Sequence, residues 1–276
     1  MKKWIVILVI LLLVLIKLGE HRTDFKEEEK AQLQTKSIPV KEVQIHQGDL
    51  RLIDKTYSVA PEGIASDIIL LKDHAALTSG YTLLEQDIRL SKRVAKAFQR
   101  MVQAAEKDGV THFLISSGYR DFKEQAALYQ EKGAAYALPA GYSEHNSGLS
   151  LDIGSSSDKM ERAPEGKWLR DHAADYGFIL RYPPAKKAIT GIEYEPWHFR
   201  YVGLPHSQIM QEKRMTLEEY LEYLKEEKQV SFILNGKHYQ IHYNVYAPDQ
   251  KIPVPENRKY QISGNNVDGV IVTTYP

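Results

Sequence analysis

Two short histidine-containing segments impose the strongest constraint on how this chain can fold. The first is SEHNSGLSLD at residues 143–152, and the second is EPWH at residues 195–198. If the two segments meet, His145, Asp152 and His198 can offer two imidazoles and one carboxylate to a single metal ion. Glu195 then remains as a spare carboxylate. Three protein ligands with one open position are typical of a catalytic zinc site, and a free glutamate is the general base that such a site needs.

The spacing within the first segment predicts a loop that becomes a strand. His145 and Asp152 are too far apart for the single helical face of a His-Glu-x-x-His motif. Apolar and polar residues alternate from 149 to 154, which is typical of a half-buried strand. Gly148 allows the backbone to bend between the two side chains, so both can face one point.

Composition restricts the kind of site and partner. The chain has 276 residues and no cysteine, so a zinc site must be built from histidine, aspartate and glutamate. Lys+Arg and Asp+Glu are both 36, and no net charge favours nucleic acid as a partner. The hydrophobic share of 43% is ordinary for a folded protein.

Residues 1–19 are predicted to be a signal anchor or a signal peptide. A basic start precedes thirteen uninterrupted apolar residues, 4–16. The run is shorter than the ~20 residues that a membrane span prefers, but no small-x-small cleavage site follows it. A short single-pass anchor is therefore favoured over a cleaved signal, and a buried core helix is a weaker alternative. Both favoured interpretations place the rest of the chain outside the cytoplasmic membrane, either anchored or secreted.

The remaining sequence divides into three parts. Residues 20–40 are charged and predict a solvated spacer. Residues 41–228 predict one domain of the α+β class, with a small, mainly antiparallel sheet that carries the metal loop and helices packed around it. Its predicted elements are edge strands and loops within 41–72, helices over 84–108, 122–129 or further, 164–176 and 216–228, and strands over 111–116, 149–154, 178–182 and 197–202.

Residues 229–276 predict a small β appendage. Asn235-Gly236 joins two strand-like runs, 230–234 and 237–243, and is the strongest short hairpin signal in the chain. Two further strands are expected over 260–263 and 267–275. No chemistry is visible in this part, and an anchoring or partner-binding role is the alternative to a purely structural one.

Four blocks of sequence resemble one known family. They are Ser117-Gly118-Tyr119-Arg120, the segment 143–152, Gly177-Phe178-Ile179-x-Arg181-Tyr182-Pro183, and the segment 195–198. Together they resemble the signature of the VanY-type zinc D-alanyl-D-alanine carboxypeptidases. The resemblance spans about residues 80–225, and its one departure is Ser150, where many relatives have alanine.

The resemblance implies a role for each residue of the site. His145, Asp152 and His198 would bind Zn²⁺, and Glu195 would take a proton from the attacking water and pass it to the leaving amine. Arg120 would stabilise the developing oxyanion together with the zinc, the alternative being a structural salt bridge.

Substrate contacts are expected from three further side chains. The resemblance assigns Ser143 and Gln125 to substrate binding. Tyr182 is predicted to wall the pocket, with a place in the apolar core as the alternative, and the same two interpretations apply to Trp197.

The implied reaction removes the C-terminal D-alanine from the stem pentapeptide of peptidoglycan. That substrate lies outside the membrane, in agreement with the N-terminal segment. The alternatives are an L,D-carboxypeptidase that trims tetrapeptides, a D,D-dipeptidase, and a non-catalytic cell-wall binding module. The dipeptidase is less favoured because its substrate is cytoplasmic, and the complete ligand set with Glu195 argues against a binding module. The family resemblance also implies a contribution to glycopeptide resistance.

Overall fold

The computed structural model describes residues 34–134 and 136–276, so the predicted N-terminal anchor lies outside the described residues. Within them, no helix is long and apolar enough to cross a membrane. The helices are α1 Lys92–Lys107, α2 Phe122–Lys132, α3 Pro164–His172, α4 Lys187–Thr190, α5 His206–Lys213 and α6 Leu217–Glu227. The strands are β1 Thr35–Pro39, β2 Ile68–Leu70, β3 Thr82–Leu83, β4 Arg89–Ser91, β5 Phe113–Ser117, β6 Ser150–Ser155, β7 Phe178–Leu180, β8 His198–Tyr201, β9 Gln229–Leu234, β10 Lys237–Val245, β11 Lys251–Pro255, β12 Tyr260–Gly264 and β13 Gly269–Thr274.

A five-stranded sheet in the order β3-β5-β6-β8-β7 forms the centre of the molecule. The short β3 pairs parallel with β5, and every other pair in this sheet is antiparallel. The predicted α+β class and mainly antiparallel sheet are confirmed. The C-terminal part forms a second sheet in the order β12-β13-β10-β9, and its β9–β10 hairpin turns at the predicted Asn235-Gly236.

Helix α1 packs one apolar face on the central sheet. Val94, Phe98 and Met101 have no exposed surface, and they join a core with inward-facing residues of β5, β6, β7 and β8. Because burying a side chain of this size stabilises a fold by about 1.5–3 kcal/mol, this face fixes the back of the sheet that carries the site.

The predicted start of this helix at residue 84 is wrong. The helix begins at Lys92, and the preceding β4 pairs antiparallel with β2. Ile88 and Leu90 are both buried, which is the two-residue spacing of a strand. The pairing with a distant strand outweighed the local helical pattern.

The edge strands predicted within 41–72 are also mostly wrong. Only β2 is a strand there, and residues 42–46 and 61–63 form short 3-10 helices. Leu50 and Leu52 are buried, but their N–H groups bond to the hydroxyl of Ser263 and the carbonyl of Asn265 instead of a neighbouring strand. The backbone of this apolar segment thus finds its hydrogen-bond partners in the C-terminal part, which no local pattern reveals.

The C-terminal sheet shares a core with the preceding helices. Residues of α5 and α6 form one buried cluster with residues of β9, β10 and β13, as well as with Leu50 and Leu52. His206 of α5 adds a polar link, since its ring bonds to the hydroxyls of Tyr220 at 2.8 Å and Thr273 at 2.9 Å. The second sheet therefore packs directly on the part that carries the predicted site.

Because His206 is buried with a lowered pKa, we expect the protein to lose stability in acid. Burial lowers the pKa of His206 to about 4, whereas a histidine in an unfolded chain titrates near 6.5. The unfolded state binds more protons between these values, so the free energy of unfolding should fall as the pH drops from 6.5 to 4, by up to about 3 kcal/mol from this group. Urea unfolding of the metal-free protein at pH 7 and pH 4.5 measures the loss. His206→Gln should show a smaller loss, and an equal loss in both proteins would contradict the assignment.

Candidate metal centre

The central sheet brings two of the predicted ligands together. Strands β6 and β8 pair antiparallel, and Asp152 lies directly opposite His198 in their register. Opposite residues of an antiparallel pair project from the same face, with their Cβ atoms about 5 Å apart. The strand pairing therefore joins the two histidine-containing segments at the site itself.

His145 reaches the same point from the loop before β6. It lies in the single 3-10 turn Glu144–Ser147, and its backbone N–H donates to the hydroxyl of Ser143. The turn ends at Gly148, whose φ of 77° lies in the left-handed region. This backbone angle strains residues that carry a side chain, so it favours glycine, whereas a β-carbon there would displace only the mobile end of the Ile68 side chain.

The three predicted ligands converge on one point. The atoms that His145, Asp152 and His198 offer all lie within 4.8 Å of one another. Oδ1 of Asp152 is 3.4 Å from Nε2 of His145 and 3.1 Å from Nδ1 of His198. Two imidazole nitrogens and one carboxylate oxygen at this spacing form a donor set that suits zinc.

The other ring nitrogen of each histidine is held by the protein. Nδ1 of His145 lies 2.6 Å from the carbonyl oxygen of Gly118, and Nε2 of His198 lies 3.2 Å from Oε2 of Glu144. Both partners only accept, so these two nitrogens carry hydrogens. Nε2 of His145 and Nδ1 of His198 are then the nitrogens directed at a metal, as expected for histidine ligands. The residues present therefore fit a zinc ion.

The charge states of the three groups differ. Burial, assisted by Arg120, lowers the pKa of His145, so its ring is neutral at pH 7. Burial also acts to lower the pKa of His198, but hydrogen bonds to Asp152 and Glu144 outweigh it and raise the pKa to about 9. Burial opposes ionisation of Asp152, yet the two histidines hold its pKa well below the ordinary value. In the metal-free protein, a proton on His198 supplies the positive charge that a metal ion would bring.

Glu195 lies beside this cluster. One of its carboxylate oxygens is 3.8 Å from Nδ1 of His198, and its side chain is 29% exposed. Its backbone N–H donates to the carbonyl of Tyr182. Burial raises the pKa of Glu195, and the negative charges of Asp152 and Glu144 add to this effect although His198 opposes it. A carboxylate of raised pKa with access to solvent can accept a proton and release it again.

Arg120 is held at the edge of the cluster by three side chains. Its Nε donates to Gln125 at 2.9 Å, one terminal nitrogen to Ser117 at 2.6 Å, and the other to Ser143 at 3.5 Å. A guanidinium has five N–H groups, so two remain for a substrate. Gln125 is buried, and its amide donates to the carbonyl of Leu138. The structure therefore places Gln125 behind Arg120.

Two aromatic residues flank the centre. Tyr182 is buried, and its ring centroid is 5.0 Å from that of His198. It therefore packs beside a predicted metal ligand, and its predicted role in walling the pocket stays a prediction. Trp197 is 41% exposed and stays outside the apolar core.

Sequence reasoning assigned no role to a buried ion cluster behind His198. Glu144 is bonded to Arg181 at 2.8 Å and to Arg200 at 2.7 Å, and all three side chains are fully buried. The two arginines hold the pKa of Glu144 well below its ordinary value, although burial opposes this. The sequence did contain a sign of this cluster, because Glu144 and Arg181 stand in two of the four blocks that resemble the family.

Comparisons with known proteins identify relatives whose matched region includes this centre. A family model, VanY, described as D-alanyl-D-alanine carboxypeptidase, matches residues 87–204. The chain is 57% identical over 257 residues to a D-alanyl-D-alanine carboxypeptidase of Enterococcus faecium, covering 93% of this chain and 84% of that protein. It is 45% identical over 159 residues to VanXYC of Enterococcus gallinarum, a bifunctional D-Ala-D-Ala dipeptidase and carboxypeptidase, covering 51% of this chain and 81% of that protein.

Solved structures of related peptidases superpose on this chain. The vancomycin-resistance D,D-dipeptidase VanXYg, in complex with a D-Ala-D-Ala phosphinate analogue, superposes with a TM-score of 0.77 at 32% identity, covering 88% of this chain and all of that one. The LD-carboxypeptidase LdcB superposes with a TM-score of 0.55 at 34% identity, covering 62% and 84%. The predicted family, carboxypeptidase activity and zinc cofactor are confirmed. On its identity to the enterococcal enzyme and on the family match across the whole candidate centre, this chain belongs to the VanY family of D-alanyl-D-alanine carboxypeptidases.

Proposed function

We propose that this enzyme removes the C-terminal D-alanine from stem pentapeptides of peptidoglycan, with zinc held by His145, Asp152 and His198. The observation that carries the proposal is the convergence of these three side chains beside Glu195 in a chain of this family. A family member that kept only a binding role would not need this carboxylate next to a complete ligand set.

Glu195 acts as the proton carrier of the reaction. Zinc bound at the site would lower the pKa of a water molecule to ~7 and polarise the scissile carbonyl. The raised pKa of Glu195 suits it to accept a proton from the attacking water. It then gives that proton to the amine of the departing D-alanine, and its partial exposure leaves room for water and substrate beside it.

Arg120 stabilises the negative charge that develops on the carbonyl oxygen. Its guanidinium is fixed by Ser117, Gln125 and Ser143, and the N–H groups that these residues do not use are available to the substrate. A pre-positioned cation of this kind needs no reorganisation during the reaction. Gln125 and Ser143 thus act on the substrate through Arg120, and Ser143 also holds the backbone N–H of His145.

The enzyme is proposed to work outside the cytoplasmic membrane, attached by the N-terminal segment or released after cleavage. The apolar run 4–16 supports this location. The proposed substrate, which belongs to the cell wall, agrees with it. Likeness to a vancomycin-resistance enzyme supports a contribution to glycopeptide resistance.

Two other specificities have an observation in their favour. The similarity to LdcB supports L,D-carboxypeptidase activity on tetrapeptides, and the similarity to VanXYC and VanXYg supports hydrolysis of free D-Ala-D-Ala. The D,D-carboxypeptidase is favoured, because the relative that aligns with 93% of this chain carries that name.

Mass spectrometry of digests separates these specificities. The full chain is incubated with pentapeptide muropeptides, with tetrapeptide muropeptides and with free D-Ala-D-Ala. The proposal expects the pentapeptide to lose one alanine while the other two substrates are cleaved far more slowly. Faster trimming of the tetrapeptide or of the dipeptide would replace the proposed specificity by the corresponding alternative.

A further inference from the structure

Glu144 occupies a place that packing alone does not explain. It is 2% exposed, and its neighbour in the chain is the ligand His145. Arg181 and Arg200 both donate to its Oε1, at 2.8 and 2.7 Å. Ser150 and His198 both approach its Oε2, at 3.1 and 3.2 Å.

The two carboxylate oxygens of Glu144 therefore bind different partners. Oε1 neutralises the two buried arginines, whereas Oε2 faces the hydroxyl of Ser150 and the ring of His198. An ionised carboxylate only accepts, so Nε2 of His198 must carry a hydrogen. Without metal the ring also carries a proton on Nδ1, which faces Asp152. When a bound metal takes the place of that proton the ring is neutral, its one hydrogen stays on Nε2, and Nδ1 has its lone pair free.

We propose that Glu144 is a positioning residue of this enzyme: it fixes His198 in the tautomer whose Nδ1 faces the metal. The inference rests on the proposed role of His198 as a zinc ligand. It adds a second carboxylate to the centre, which acts on the metal through the histidine, whereas Asp152 contacts the metal itself. Partners of this type orient the ring of a histidine ligand and make it more basic.

The substitution Glu144→Gln reverses the hydrogen bond with little change in shape. The two arginines keep the carbonyl oxygen of the new amide at the Oε1 position, so its NH₂ group takes the Oε2 position. That group donates to Nε2 of His198 and favours a hydrogen on Nδ1, where the metal lone pair is needed. We expect the zinc affinity of Glu144→Gln to fall ten- to a hundredfold at constant pH, about the loss seen when such partners are removed.

Glu218→Gln is the matched control. Glu218 also bonds to Arg181, at 2.7 and 2.9 Å, but the described contacts of Glu218 do not include His198. Glu218→Gln therefore removes a charge beside Arg181 and leaves the described contacts of His198 unchanged. The zinc affinity of Glu218→Gln should stay within about threefold of the wild type. That change is much smaller than the ten- to hundredfold loss expected when a partner that orients a histidine ligand is removed.

Zinc affinity is measured by competition with a chromogenic chelator on the full chain. Equal losses in the two variants would show that Glu144 only balances charge, and an unchanged Glu144→Gln would overturn the inference directly. A wild type that binds no zinc would instead overturn the proposed function, and this inference with it.

A second measurement needs no variant and guards against misfolding of Glu144→Gln. With ¹⁵N-histidine in the zinc-loaded wild type, the ring couplings of His198 identify which nitrogen carries the hydrogen. The inference expects the hydrogen on Nε2 and the metal on Nδ1. The opposite tautomer would overturn it whatever the variants do.

Discussion

Replacing Glu195 with alanine should lower kcat by about a thousandfold while zinc remains bound. General acid–base catalysis contributes about 10²–10⁴ to a rate, and this carboxylate is the candidate for both proton transfers. Its role belongs to the transition state, so kcat and kcat/KM should fall together and KM should change little. Release of D-alanine from a pentapeptide, followed at a fixed zinc content, measures the effect.

Glu193→Ala is the control for this variant. Glu193 lies two positions earlier on the same loop, and its exposed side chain pairs with Lys187 instead of facing the ligands. Its kcat should stay within about twofold of the wild type, as is usual for surface changes. Activity in Glu195→Ala comparable to that of the control would remove Glu195 from its assigned role.

Asp152→Asn should abolish both zinc binding and activity. The amide keeps the shape of the side chain but removes the negative charge between His145 and His198, from which Oδ1 of Asp152 lies 3.4 and 3.1 Å. Removal of a partner behind a ligand already costs ten- to a hundredfold in affinity, so loss of a ligand should cost more than about a hundredfold. Zinc titration followed by the D-alanine assay measures both quantities.

Asp158→Asn provides the comparison. Asp158 follows β6 on the exposed surface and pairs with Arg162 at 2.6 Å. Exposed ion pairs contribute little, so zinc affinity and kcat should be unchanged. If Asp152→Asn still bound zinc as tightly as this control, Asp152 would not be a ligand.

The convergence of His145, Asp152 and His198 could be predicted from the sequence because the three residues stand in two short segments. The alternation around Asp152 predicted a strand, and Gly148 predicted the bend that brings His145 to the same point. Both are local properties, and β6 and Gly148 confirm them. The hairpin turn at Asn235-Gly236 was predictable for the same reason, since the turn type restricts its residues.

Long-range pairing set the limit of these predictions. The bond between Gln125 and Arg120 depends on where the fold places α2, which no local pattern shows. The contact of Gln125 with substrate stays a prediction. The bond from Glu144 to His198 joins residues 54 positions apart in the chain. The residues just before Lys92 form β4, which pairs with β2 about twenty positions earlier in the chain, so their local helical pattern did not decide their structure.

If the three converging side chains hold the catalytic zinc, a metal-free preparation should be inactive. The full chain is stripped of metal with a chelator, and zinc is returned in small steps while D-alanine release from a pentapeptide is followed. We expect no release at first, then a linear rise that stops at one zinc per chain. A metal-free preparation that trims the pentapeptide at full speed would contradict it.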